Sequence, residues 1–443
     1  SYRRFQRLQL DALRPQLAPG VWTTHNFMKW YDGFDHYELA AELDMASWDW
    51  YVPTEHHDYL SSGAVHDLTR GFKRRNFWLM ETQPGHVNWA PINRSTNQGE
   101  ARAMAWHAVA HGADAVLYWQ WRSALGGQEQ FHGTLVDQSG QPRPFYEEAQ
   151  ALGRDFATVS SLLAGSAPVA EVAVLNSYDD RWSIHAQRHH RDFDYVTHLL
   201  HYYRPLAARN IAVDVLSADA PLDGYKLVIA PALLMLNDLR VARLVAFVEN
   251  GGQLVLTVRS GMKDDTNALL PLRQPGGLTG VAGVEVEDYY VLPEPVPVAG
   301  EWFSGESRLW AERLKIRDEA GTAVIARYGA SNGWLDGQAA ITSHPYGKGR
   351  VYFVGAYLDE SSQQALLDHI ARLAGVEPVM ETPAGVEACK RVGTQGEVFI
   401  IINHERTEKR VALPWPGREH LSGREGGELM LRPYGVAVVT RSS

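Results

Sequence analysis

The chain has 443 residues, 45% apolar and 21% charged, an ordinary globular composition and too long for one core, so two or three domains are expected. A net charge of −10 without any block of Lys or Arg excludes nucleic acid and anionic membrane as partners. A single cysteine, Cys389, rules out an internal disulfide and a cysteine-based zinc cluster, and fits a reducing, cytoplasmic setting.

Phe5, Leu8, Ala12 and Leu13 predict a helical stripe, ended by Pro15 and Pro19-Gly20. A strand is predicted over 21–27, a helix over 35–43, a strand over 45–51 and a helix over 64–73. A third strand over 76–80 precedes a helix over 98–111, and a fourth strand over 113–121 precedes a long helix from about 145. Four consecutive βα units imply a parallel sheet. Polar or aromatic residues end every strand: Asn26, Asp49 to Tyr51, Glu81 and Gln120-Trp121. Catalytic groups of a (β/α)8 barrel occupy such strand ends, and four units are half of that barrel.

Residues 169–375 read as a second α/β domain. Strands are predicted over 172–175, 227–230, 254–258 and 350–355, with helices over 195–206, 239–249 and 362–373. The Gly- and Pro-rich stretch 276–345 reads as a β-rich insertion. Residues 376–443 carry short alternating runs, at 398–403, 410–413 and 435–439, that suggest a small antiparallel β-sandwich.

The strongest chemical signal is Asn76-Phe77-Trp78-Leu79-Met80-Glu81-Thr82-Gln83-Pro84-Gly85. A carboxylate that closes an apolar strand just before a Pro-Gly turn is held at the rim of a buried sheet, where it can serve as nucleophile or general base. A surface Glu opening a loop would have the same sequence. The adjacent pairs His56-His57 and His189-His190 point apart on any regular backbone and suggest no shared metal. No metal and no cofactor are expected.

That segment resembles the nucleophile motif of the family 42 glycoside hydrolases, the β-galactosidases. Thr23-Thr24-His25-Asn26-Phe27-Met28 resembles the family's fifth barrel strand, Ala46 to Tyr51 the sixth, and Gly112 to Arg122 the eighth. Arg259-Ser260-Gly261-Met262-Lys263-Asp264 and Gly347-Lys348-Gly349-Arg350-Val351 are similar to its middle domain. The resemblance implies an α/β fold in three parts. Residues 1–168 would form the C-terminal half of a (β/α)8 TIM barrel, 169–375 a glutamine-amidotransferase-like trimerisation domain, and 376–443 the sandwich.

It also implies a retaining β-galactosidase acting on terminal β-D-galactosides as a homotrimer. Glu81 matches the nucleophile, Trp89 the galactose-stacking Trp and Glu129 a residue that binds sugar hydroxyls; His132 lies in the same substrate segment and Tyr51 lines the pocket. Asp49 is expected to support these groups through hydrogen bonds. The family's acid/base Glu, which follows an Asn after the fourth barrel strand, has no counterpart here. Asp32, Asp35, Asp49 and Glu129 lack the Asn-Glu context, so little hydrolysis is expected from this chain alone. A non-catalytic sugar-binding or oligomerisation protein of the same descent is the alternative.

Overall fold

The computed structural model describes residues 2–442, in two compact units. The first joins residues up to 169 with 208–212 and the segment from 378 onward; the second comprises 170–207 and 213–377.

The first unit opens with α1 (Tyr2–Leu13). The helix forms as expected, but Phe5, Leu8 and Leu13 stay exposed while Gln6 and Leu10 are buried. The Gln6 amide donates to the Leu39 carbonyl at 2.9 Å, and this bond fixes which face turns inward. Next come β1 (Asn26–Met28), α2 (His36–Ala41), β2 (Ser47–Trp50) and α3 (Tyr59–Lys73). They are followed by β3 (Phe77–Thr82), α4 (Glu100–Ala110), β4 (Ala113–Tyr118) and α5 (Phe145–Leu163).

The four strands pair in parallel in the order β1-β2-β3-β4. The first is shorter than expected because residues 23 and 24 are held by side chains: Thr23 bonds the Asp44 carboxylate and Thr24 the Met45 carbonyl. The α3 helix starts earlier than expected because Asp58 caps it, accepting from the Ser61 amide. Both α3 and α4 are buried around nearly their whole circumference, and α4 packs on β4 and also on the C-terminal sheet described below.

A two-residue strand, β5 (Ala167–Pro168), ends this segment. The second unit then runs through β6 (Val172–Asn176), α6 (Tyr178–Ala186), α7 (Tyr195–Ala207), β7 (Val213–Ser217) and β8 (Leu227–Ala230). It continues with α8 (Asp238–Glu249), β9 (Gln253–Thr257), α9 (Thr279–Ala282), β10 (Val284–Gly300) and β11 (Ser304–Ile316). It closes with β12 (Ala323–Tyr328), β13 (Ala339–Tyr346), β14 (Gly349–Val354), β15 (Ala356–Leu358) and α10 (Glu360–Leu373).

The predicted β-rich insertion is not a separate module. Its strands continue the parallel sheet β14-β9-β8-β6-β7 as antiparallel neighbours, giving one ten-stranded sheet. Val174, Leu227, Val228 and Leu254 are fully buried at its parallel centre, as expected of strands covered on both faces.

The chain returns to the first unit with β16 (Val386–Gly393), β17 (Gly396–Asn403), β18 (Lys409–Glu419), β19 (Glu425–Leu431) and β20 (Val436–Arg441). With β5 these make one antiparallel sheet, order β19-β18-β20-β17-β16-β5. β18 is irregular between Ala412 and Gly417; it pairs with β19 on both sides of the irregularity and, at Gly417 to Glu419, also with β20, so hydrogen bonds join all six strands. Ile400 and Ile402 face Trp106 and Val109 of α4, whereas Phe399 and Ile401 face a second apolar layer with Val411 and Val439. Among the described residues no helix is long and apolar enough to cross a membrane.

Candidate active site

The C-terminal ends of β2, β3 and β4, with the loops that follow them, bring the sequence-predicted residues together. Between β2 and β3 the register slips by one residue, so Asp49 stands opposite Glu81 and not Met80. Each Glu81 oxygen receives a donor: the Asn26 amide to Oε1 at 3.0 Å and the Tyr51 hydroxyl to Oε2 at 2.9 Å. Donors from the start of β1 and from the residue after β2 thus fix the carboxylate. Tyr51 is itself held in its protonated, donating form, since burial and then Glu81 push its pKa well up.

Asp49 is the perturbed carboxyl of the group. Burial, then the charge of Glu81, raise its pKa to about 7, partly opposed by a hydrogen bond from Asn26. The Gln83 side chain ties the two strand ends together. Its oxygen accepts from the Val52 amide at 2.6 Å, while its nitrogen donates to the carbonyls of Val52 and Gly85.

Tyr51 is also the hub of an aromatic group. Its ring meets Trp89 and His132 edge-on, each at 5.9 Å between centroids. Trp89 is 57% exposed and offers an open indole face, whereas His132 is buried. Burial lowers the His132 pKa against the nearby Glu129 charge, and its Nδ1 lies 3.3 Å from the Asn88 side-chain oxygen. Glu129 receives the Trp119 indole N–H at 2.9 Å, with the Gln120 amide at 3.5 Å. The loop carrying Glu129 and His132 is locked to the loop after β3 at Gly133, whose amide donates to the His86 carbonyl at 2.7 Å. A Cβ at 133 would lie 2.6 Å from that oxygen, so glycine is required there.

The five residues singled out in the sequence, Tyr51, Glu81, Trp89, Glu129 and His132, therefore lie in one cluster. Asn26 and Gln120 stand out in the sequence only as strand ends, and Trp119 and Asn88 do not stand out at all. A signal for Asn26 exists, as it lies near the end of the strand predicted over 21–27, although the observed strand begins with it. The Trp119 contact depends on loop geometry that no local pattern encodes.

Two regions of the chain match families of known proteins. Residues 1–159 match the family described as β-galactosidase, and residues 170–377 match the β-galactosidase trimerisation domain. A β-galactosidase of Halorubrum lacusprofundi is 32% identical over 477 residues, covering 98% of this chain and 67% of its own length. The chain belongs to the family 42 β-galactosidases.

Another member, from Alicyclobacillus acidocaldarius, is 33% identical, with 99% of this chain and 66% of its own length aligned. Among solved structures, the β-galactosidase of Bacillus circulans sp. alkalophilus superposes with a TM-score of 0.93 at 27% identity, over 99% of this chain and 66% of that one. The Halorubrum enzyme superposes with a TM-score of 0.90 at 31% identity, over 100% of this chain and 67% of its own. This family 42 chain thus spans about two thirds of the length of the relatives it matches. Its fold is the α/β fold of these glycoside hydrolases with a trimerisation domain.

Proposed function

We propose that this chain carries the nucleophile and galactose-binding side of a retaining β-galactosidase. In this reading Glu81 attacks C1 of a terminal β-D-galactoside. The observation that carries it is the Glu81 carboxylate, bonded by Asn26 and Tyr51 at a parallel strand end and surrounded by Trp89, Glu129 and His132. The indole of Trp89 stacks on the apolar face of the sugar. Glu129, oriented by Trp119, accepts from sugar hydroxyls, so a misplaced hydroxyl loses that bond. Asp49 supports Glu81 and does no direct chemistry. Residues 1–168 act as the C-terminal half of a (β/α)8 barrel, and the domain after it assembles a homotrimer.

A retaining mechanism needs a second carboxyl about 5–5.5 Å from the first to protonate the leaving oxygen. No carboxyl in the Asn-Glu context of the family accompanies Glu81, so the chain by itself turns over ordinary galactosides poorly. Dinitrophenyl β-galactoside separates the two functions, because its phenolate departs without protonation. The expected result is a burst of dinitrophenolate and one galactosyl group on Glu81, removed by added azide and absent in Glu81→Gln. An adduct on another residue, or no adduct at all, overturns the nucleophile and favours the non-catalytic sugar-binding reading. Ordinary turnover of a nitrophenyl galactoside refutes the missing acid/base. Light scattering at three times the chain mass tests the trimer.

A further inference from the structure

Away from the carbohydrate site, five histidines converge in the first unit where α3 and α4 meet the C-terminal sheet. His107 of α4 is at the centre, with ring centroids of His57, His66, His111 and His404 between 4.6 and 5.2 Å from its own. Glu387 of β16 is buried among them. Its Oε2 lies 3.1 Å from His404 Nε2 and 3.3 Å from His107 Nε2, and its Oε1 lies 3.0 Å from His111 Nε2.

We propose that His107, His404 and Glu387 form a buried binding site for one zinc-class divalent cation, clamping α4 to the C-terminal sheet. Three features of the geometry support it. First, the three ligand atoms lie within 4.8 Å of one another, and the two nitrogen-to-oxygen distances are close to a tetrahedron's edge. For metal bonds of roughly 2.0–2.1 Å that edge is about 3.3 Å. Second, His107 Nε2 is near the carboxylate yet is not aligned as a hydrogen-bond donor to it. The His107 approach is that of converging lone pairs, while His404 Nε2 has hydrogen-bond geometry to the same Glu387 oxygen, a contact that a cation would replace.

Third, the surroundings are those of a metal site. His111 links the Glu387 carboxylate to Asp67, its Nδ1 lying 2.8 Å from Asp67 Oδ1, so it orients the ligand and is not itself available. Tyr59 stacks on the His404 ring at 4.2 Å, with planes 3° apart, and sets its direction. His57 lies beside the trio with a shielded, unpartnered Nε2 while its Nδ1 reaches Ser62 Oγ at 3.3 Å. It supplies a fourth ligand after a small rotation, or water takes that position. Two imidazoles and a carboxylate suit zinc better than calcium or magnesium, which take oxygen ligands. No local motif announces the site, because its ligands come from positions 107, 387 and 404.

The test uses the full chain without an affinity tag, so its claim is independent of any glycosidase activity. Protein as purified is assayed for zinc, stripped with dipicolinate, and titrated with Co2+. The expected result is about one zinc per chain and the intense visible absorption of tetrahedral Co2+, saturating at one equivalent and bleached by Zn2+. Stripping should lower the Tm by roughly 5 °C or more, and zinc should restore it. Glu387→Gln and His404→Asn should lose the Co2+ band, whereas His56→Ala, at an exposed neighbour, should keep it. Absence of bound zinc together with no Co2+ band overturns the proposal, as does the weak octahedral spectrum of surface binding. So does an unchanged band in both ligand variants. If those variants do not fold, the wild-type spectrum and stoichiometry decide the question by themselves.

Discussion

Replacing Asp49 with Asn should stabilise the protein at alkaline pH and leave it almost unchanged at acid pH. Burial and Glu81 raise the Asp49 pKa from 3.8 to about 7 in the folded protein. Between these values the folded chain holds a proton that the unfolded chain has released, so stability falls as pH rises. Below the unfolded pKa the carboxyl is neutral in both states and costs nothing. Above the folded pKa the whole cost is present. A shift of this size corresponds to about 4 kcal/mol without screening. Asp49 is only half-buried, and solvent screening reduces that to roughly 2 kcal/mol. A carboxamide keeps the shape and never ionises, so at pH 8 Asp49→Asn should melt roughly 4–8 °C above the parent, for a unit of this size. The gap should shrink steadily below pH 7 and nearly vanish at pH 4. Thermal melts followed by circular dichroism at four or five pH values read it directly. A gap independent of pH, or a less stable variant at pH 8, would show that Asp49 is not the strained partner of Glu81.

Two further substitutions probe the supports of the site. Gly133→Ala forces a methyl against the backbone of His86 and should cost about 1–3 kcal/mol. Because it pries the 129–132 segment from the loop after β3, it should also weaken galactose binding in calorimetry; unchanged stability and binding would show that the backbone yields. Arg391→Met removes five hydrogen bonds, to Ser166, the carbonyls of Val109 and Ala113, and Asp114, from a side chain that is buried. The stranded carbonyls should make the loss about 3 kcal/mol or more in urea unfolding. A loss within the scatter of surface mutants would mean that water replaces the guanidinium.

What can be read from the sequence follows the range over which each feature is encoded. The four βα units are legible because alternation, helical stripes and caps are written within about a dozen residues of each element. Glu81 is legible because a strand that closes on a carboxylate before Pro-Gly positions the charge locally. The failures share the opposite property. The strand expected from residue 21 begins at Asn26 because Thr23 bonds Asp44, a partner 21 residues on. The stripe of α1 turns outward because Gln6 finds a carbonyl 33 residues away. The continuous C-terminal sheet depends on the end of β18, at Gly417 and Arg418, taking β19 on one edge and β20 on the other, which only the two partners reveal. The histidine cluster is the extreme case. His57 sits beside His56 in sequence, and the adjacent pair does point apart: His56 is exposed and the Nε2 of His57 is shielded. Yet the geometry of neighbours says nothing of His107, Glu387 and His404, which only the packing of α4 on β16 and β17 brings together. Charge and ligand chemistry at a strand end can be anticipated from a local pattern, but a site assembled between a helix and a sheet from the far end of the chain requires the tertiary contact first.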